Sequence, residues 1–282
     1  MHARTVCLVA LLLAPTVAAA QGAETSVRAE LGPANEAIQL SMTSGGKSPG
    51  LSLTVGKGKP EKLFKGEGIG TVKAGHEKIV VAYAVDDSKT AFRVHVVGGG
   101  DHTLERPGKR GDVPYAVVMA ATPTGFMVLY QDIEATNTNE AHTYLVELDD
   151  AGKPTAKPRE VQIPWALGDA AWNGSGYHLA LYYAGGDGVR LSMVSMTKDG
   201  TPQQHPDWSS KAGLVSDVHL VTDGDKIRAI YRGGMGDRIL ESDVTKIRGW
   251  GGEPPKAKDH GAISGKQSLA VNAKGQPTKI AR

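Results

Sequence analysis

Residues Gly168 to Tyr183 read GDAAWNGSGYHLALYY, and residues Ser216 to Arg232 read SDVHLVTDGDKIRAIYR. Each is an apolar strand, a turn of Asn, Asp, Gly or Ser type, then a second apolar strand ending in tyrosine. Aligned on Tyr182 and Tyr231, Trp172 and Val221 fall together ten residues earlier. The same template fits Lys73 to Tyr83, Ala120 to Tyr130 and Val271 to Ala281. In weaker form it fits Gly32 to Met42, and none of the six needs a gap. The anchors Met42, Tyr83, Tyr130, Tyr182, Tyr231 and Ala281 follow one another at 41, 47, 52, 49 and 50 residues. That is the period of a four-stranded propeller blade, roughly 40–50 residues.

Two further strand candidates lie between most anchors. After Tyr182, Val189 to Met196 (VRLSMVSM) alternates in period two and Lys198 to Pro202 (KDGTP) turns the chain. After Tyr130, His142 to Leu148 (HTYLVEL) alternates likewise, followed by Asp149 to Pro154 (DDAGKP). These repeats predict an all-β chain, a β-propeller of six blades with an incomplete last one. Five blades and a β-sandwich are the alternatives, but a sandwich gives no reason for one hairpin to recur at a single long period. Six inner hairpins face only five outer ones. The segment Gln21 to Leu31 is therefore expected to close the last sheet as a clasp, since an open edge invites association.

The run AWNGSGYHLALYY…VRLSMVSMTKDGTP resembles a blade of the secreted bacterial β-propeller repeat proteins, in which an AW-(N/D)-G strand, a G-Y strand and a DG-x-P turn recur. The likeness is good over residues 165–202, fair over 66–160 and 213–245, and poor over 27–65 and 260–282. It implies a propeller fold and an exported setting. It implies no catalytic residues, because that group is defined by its scaffold rather than by a shared site.

Composition narrows the function classes. The chain has 282 residues, and its 32 Lys+Arg against 30 Asp+Glu leave no basic surface for nucleic acid. The 36 Gly and 15 Pro suit many short strands and tight turns. Met1 to Ala20 has a basic start at Arg4, an apolar run Val6–Leu13 and the small residues Ala18-Ala19-Ala20. It reads as a signal peptide, with residues 21–282 as one propeller domain. Cys7, the single cysteine, falls inside it, so the mature chain is expected to carry no disulfide or thiolate. No later stretch is long and apolar enough for a membrane span. The expectation is a soluble monomer, periplasmic or extracellular.

Candidate chemistry is sparse. The histidines form no H-E-x-x-H pair. His95, His142, His178 and His219 fall in predicted strands, where a hydrogen-bonded structural role is expected rather than metal binding. Asp86-Asp87, Asp149-Asp150 and Asp223-Gly224-Asp225 read as Asx turns, not calcium loops. Asn173-Gly174-Ser175 is a hairpin turn rather than a glycosylation site. Arg110-Gly111-Asp112 is read as a connecting loop, and Gly251 to Lys258 as a flexible basic connector. No nucleophile elbow, Walker loop or dinucleotide fingerprint is present, so no cofactor and no metal are expected.

Asp169 and Asp217 begin the innermost strands of adjacent repeats, one register position apart. They are the one carboxylate pair that a ring could aim at its opening, where glycoside cleavage would need two. Turn capping weighs against that role. Asp169, Asp217 and His219 are the candidate ligand-binding residues, and catalytic residues are not identifiable. The leading function is a non-enzymatic binding or scaffold module, with a protein or glycan ligand at the channel mouth. The alternative is a propeller hydrolase or lyase acting on an extracellular glycan or peptide.

Overall fold

The computed structural model describes residues 24–85, 92–105, 107, 113–133, 141–163, 165–185, 188–204, 215–234, 237–245, 256–272 and 274–282. The leader-like first twenty residues with Cys7, Asp86-Asp87, Arg110-Gly111-Asp112, His205 and most of the segment Gly251 to Lys258 lie outside them.

The first sheet runs β1 (Glu24–Leu31), β2 (Ala37–Ser44), β3 (Gly50–Val55), β4 (Glu61–Lys65). The second runs β5 (Gly68–Gly75), β6 (Lys78–Val85), β7 (Phe92–Val96), β8 (Asp101–Leu104). The third is β9 (Val113–Thr122), β10 (Gly125–Ile133), β11 (Ala141–Asp149), β12 (Arg159–Val161). The fourth is β13 (Ala166–Trp172), β14 (Gly176–Gly185), β15 (Gly188–Thr197), β16 (Pro202–Gln204). The fifth is β17 (Ser216–Asp223), β18 (Lys226–Gly233), β19 (Arg238–Asp243), β20 (Lys258–Ala262). The hairpin β21 (Gln267–Val271) and β22 (Pro277–Ala281) follows as a two-stranded sheet.

Every strand pairs antiparallel with its sequence neighbour, so each sheet is a simple meander. The fold is a β-propeller of five complete blades with the sixth repeat present as a hairpin.

Alternation explains why the sheets stack as they do. In β6, Ile79, Val81 and Tyr83 face the first blade, while Val80, Ala82 and Ala84 face the third. A strand buried on both faces needs an unbroken apolar run, and Ile79 to Val85 (IVVAYAV) supplies it. Six apolar clusters fill the spaces between successive sheets. The last two close the ring. Ile230 and Ile239 meet Leu269 on one side of the hairpin, and Ala270 and Ile280 meet Ala29 on the other.

Three sequence expectations change here. The sandwich alternative falls, because the clusters run in a circle rather than between two layers. The clasp falls as well: β1 pairs with β2 as the innermost strand of the first blade and reaches β21 only by side-chain packing. The gap-free alignment fails by one residue in the fourth blade. There Asn173 N–H bonds the Gly176 carbonyl across Gly174-Ser175, so Gly176 is the counterpart of Lys226. Tyr182 accordingly packs toward the fifth blade, whereas Tyr83, Tyr130 and Tyr231 each face the preceding one. A one-residue slip turns every side chain to the other face.

Candidate functional site

The slip changes which residues share a level on adjacent inner strands. Counted back from the turn, Asp169 stands four before Asn173 and His219 four before Asp223. Asp169 is therefore the counterpart of His219, not of Asp217. Asp169 Oδ2 accepts the Leu220 N–H at 2.6 Å, which clips β13 to β17.

Asp217 sits one residue past Ser216 in a bulge of β17, half-buried, with φ 48°. It belongs to neither the Asp169 contacts nor the pocket wall. The aspartate pair expected at the channel mouth does not form. Asp169 caps no turn either; its carboxylate is buried and spans two blades.

Around Asp169 lies a charged cluster drawn from four inner strands. Arg28 on β1 donates Nη2 to Asp169 Oδ1 at 2.8 Å and Nη1 to the Val218 carbonyl at 2.9 Å. Lys73 on β5 donates Nζ to Glu30 Oε1 at 3.2 Å and lies 4.0 Å from Asp169 Oδ1. Glu30 on β1 also approaches His219 Nδ1 at 3.7 Å.

Burial alone would push the Glu30 carboxyl up, but Lys73, His219 and Arg28 outweigh it and hold it at about 2. Burial pulls the Lys73 ammonium and the Arg28 guanidinium down, and the two carboxylates raise both above their ordinary values. The cluster is a mutually neutralising set of two cations and two anions, so each can be buried. Tyr182 borders it: its hydroxyl accepts the Val218 N–H at 3.3 Å. Burial pushes that hydroxyl up to about 12.

Next to the cluster a pocket of about 500 Å³ opens, lined by Glu30, Lys73, His219, Arg228, Lys274 and Gly275 among others. It lies where the inner strands end and their hairpins turn, at the seam between the fifth blade, the β21–β22 hairpin and the first two blades. His219 is 2% exposed, and its Nε2 is buried with no hydrogen-bond partner among the described residues. His219 lines the pocket, with Nδ1 turned to Glu30 and Nε2 left without a partner among the described residues. An unpaired polar atom in such a place is costly unless something binds it.

The remaining strand histidines each have a hydrogen-bond partner. His95 bonds Asp101, His142 bonds Glu160 and His178 bonds Ser195. Asp149 and Asn173 accept turn N–H groups as Asx turns. Among the described residues no group of three or more His, Cys, Asp or Glu side chains converges as a metal site, and no helix is long and apolar enough to cross a membrane.

Sequence reasoning missed Arg28, Glu30 and Lys73. A signal was present: charges in Val27–Leu31 (VRAEL) and Ile69–Ala74 (IGTVKA) interrupt strands that a propeller buries on both faces.

No protein-family model and no curated relative matches the sequence. Solved structures match it by fold. A subtype N10 neuraminidase-like protein of A/little yellow-shouldered bat/Guatemala is similar over 90% of this chain and 90% of its own, at 10% identity and TM-score 0.55. A mutant of the GH43 protein BlXynB from Bacillus licheniformis is similar over 74% of this chain and 47% of its own, at 12% identity and TM-score 0.50. An α-L-arabinofuranosidase from Lactobacillus brevis aligns over 89% and 92%, at 9% identity and TM-score 0.47. At such identities the likeness carries the fold alone.

These findings correct the expectation of a non-enzymatic binding or scaffold module. That expectation rested on missing local motifs. The solved structures similar in fold include a neuraminidase-like protein and a GH43 protein, and the polar residues here converge from strands up to 190 residues apart, where no local motif could register them.

Proposed function

We propose that the protein is a propeller hydrolase that cleaves a glycan in the axial pocket, with His219 as its proton-transfer group. The observation that carries this reading is His219, a pocket-lining residue with a buried, unpartnered Nε2 and with Nδ1 3.7 Å from a carboxylate oxygen. A carboxylate on one ring nitrogen fixes the tautomer and leaves the other free to take and return a proton.

Glu30 is the positioning residue. Held ionised at about 2, it cannot act as the proton-donating acid of a two-carboxylate mechanism, whose pKa must be raised. Lys73, between Glu30 and Asp169, supplies positive charge at the wall where a departing oxygen would gain negative charge. Asp169 and Arg28 brace the strands beneath.

A volume of about 500 Å³ is of the size that holds a small-molecule ligand. The glycan class is supported by the fold's likeness to a neuraminidase-like protein and a GH43 protein. The exported setting rests on the leader-like first twenty residues.

The test is product release from a panel of oligosaccharides, followed by chromatography. Wild-type protein is expected to cleave at least one member. His219→Ala is expected to lose about 10²–10⁴ in rate, the usual worth of a positioned acid–base group, with a cooperative melting transition retained. Full activity in His219→Ala rejects the assignment.

A further inference from the structure

Arg228 stands on the same pocket wall as His219, on β18. One guanidinium nitrogen, Nη1, donates to Glu241 Oε1 at 2.8 Å, and the other Glu241 oxygen lies 2.6 Å from His260 Nε2. Burial alone would raise the Glu241 carboxyl, but the hydrogen bonds and charges of Arg228 and His260 hold it below its ordinary value. The guanidinium is thus anchored from behind by a carboxylate that is itself anchored.

In front, Nη2 rests against Gly275 in the β21–β22 turn. A Cβ at that position would come within 2.5 Å of Nη2 and 2.6 Å of the Val221 side chain. Gly275 also has φ +68°, so both its conformation and the space favour glycine. No hydrogen bond holds Nη2 among the described residues. Lys274, the neighbouring exposed cation on the rim, has no ion pair among them.

Beyond the Arg228–Glu241 pair, neither carboxylate that lines the pocket forms an ion pair with Arg228 or Lys274 among the described residues. Glu30 is committed to Lys73, and Asp223 stands exposed at the strand end.

We propose that Arg228 is a specificity-determining residue, and that its Nη2, with Lys274, receives an anionic group, so that the pocket takes an acidic glycan rather than a neutral one. This deepens the glycan-cleaving reading and rests on it for the sugar. An arginine already fixed in orientation loses little further freedom on pairing with a carboxylate or sulfate.

Calorimetric titration separates the two claims, because it reads binding without turnover. The titrant is a uronic-acid oligosaccharide, compared with a sulfated and a neutral oligosaccharide of equal length. The protein is wild type, Arg228→Ala, Arg228→Lys and Lys274→Ala, each in the His219→Ala background so that nothing is consumed. Binding of at least one acidic sugar is expected, weakened at least tenfold by Arg228→Ala, with Arg228→Lys only partly restoring it and Lys274→Ala costing less. Neutral sugar should bind weakly and equally to all four. Whichever acidic sugar depends on Arg228 identifies the anion as carboxylate or sulfate.

An Arg228 with a merely structural role would lower the melting temperature and weaken every sugar by one factor, which overturns the proposal. So does neutral sugar binding as tightly as acidic sugar. Should Arg228→Ala fail to fold, the same comparison is made with Arg228→Lys, and unchanged acid preference there overturns it. Arg228-dependent binding without cleavage by wild type would leave this proposal standing while the enzyme reading fell.

Discussion

Asp169 and Asp217 look alike in the sequence and differ entirely in what holds them. Asp169 is 1% exposed and bonded to Arg28 and to a backbone N–H of the next blade. Replacing it with Asn strands the Arg28 charge, at a cost of about 3–5 kcal/mol. Asp217, half-buried in the left-handed region, tolerates Asn, which adopts that conformation readily. Asp217→Asn should change stability by no more than about 0.5 kcal/mol. Chemical denaturation of the two variants checks the contrast.

Glu30 sets a pH dependence of definite sign. Its folded pKa of about 2 lies below the ordinary 4.5, so its stabilisation is fully present above about pH 4.5 and vanishes as pH falls through 2. The difference corresponds to about 3 kcal/mol. Midpoints of urea unfolding should fall between pH 4.5 and 2 more steeply for wild type than for Glu30→Gln. Equal slopes would remove Glu30 from the ion-paired cluster.

At the scale of single elements, the hairpins were the most legible feature, because turn chemistry and period-two alternation are both local. All six anchors fall on the second strand of their sheets. The register of the fourth blade was not legible. Asn173-Gly174-Ser175-Gly176 and Thr222-Asp223-Gly224-Asp225 both read as turns, and only the cross-strand bonds show that the first pairs one residue differently. That one residue decided the site, by exchanging Asp217 for His219 as the partner level of Asp169.

The β5–β6 turn offers a local test. His76 and Glu77 both have positive φ, 50° and 58°, as a two-residue hairpin turn of the primed type requires, yet neither is Asn or Gly. Glu77→Gly should relieve strain and raise stability by up to about 1 kcal/mol after the cost in chain entropy. A differential scanning calorimetry trace with a lower midpoint would contradict that reading.

For the whole molecule, the decisive fact is ring closure by packing rather than by a shared sheet. The β21–β22 hairpin buries Leu269 and Ala270 against the neighbours on either side. A chain ending at Ser264 uncovers Ile230, Ile239 and Ala29, and should lose its sharp melting transition and associate, as gel filtration with calorimetry would show.

Closure also assembles the charged cluster. It sets Glu30 of the first blade beside His219 of the fifth, a juxtaposition no sequence window contains. Individual blades could be read from alternation, but the site is a property of the ring, and its charged residues showed only as interruptions in apolar strands.

The proposed hydrolase reading is tested most directly by a double-mutant cycle between Glu30 and His219, read as kcat/KM on a glycan that the wild type is expected to cleave. Residues acting as one proton-transfer unit are strongly non-additive. Glu30→Gln with His219→Ala should be no slower than His219→Ala alone. Losses that multiply would mean that the two residues act independently, and the Glu30–His219 unit at the propeller axis would be refuted.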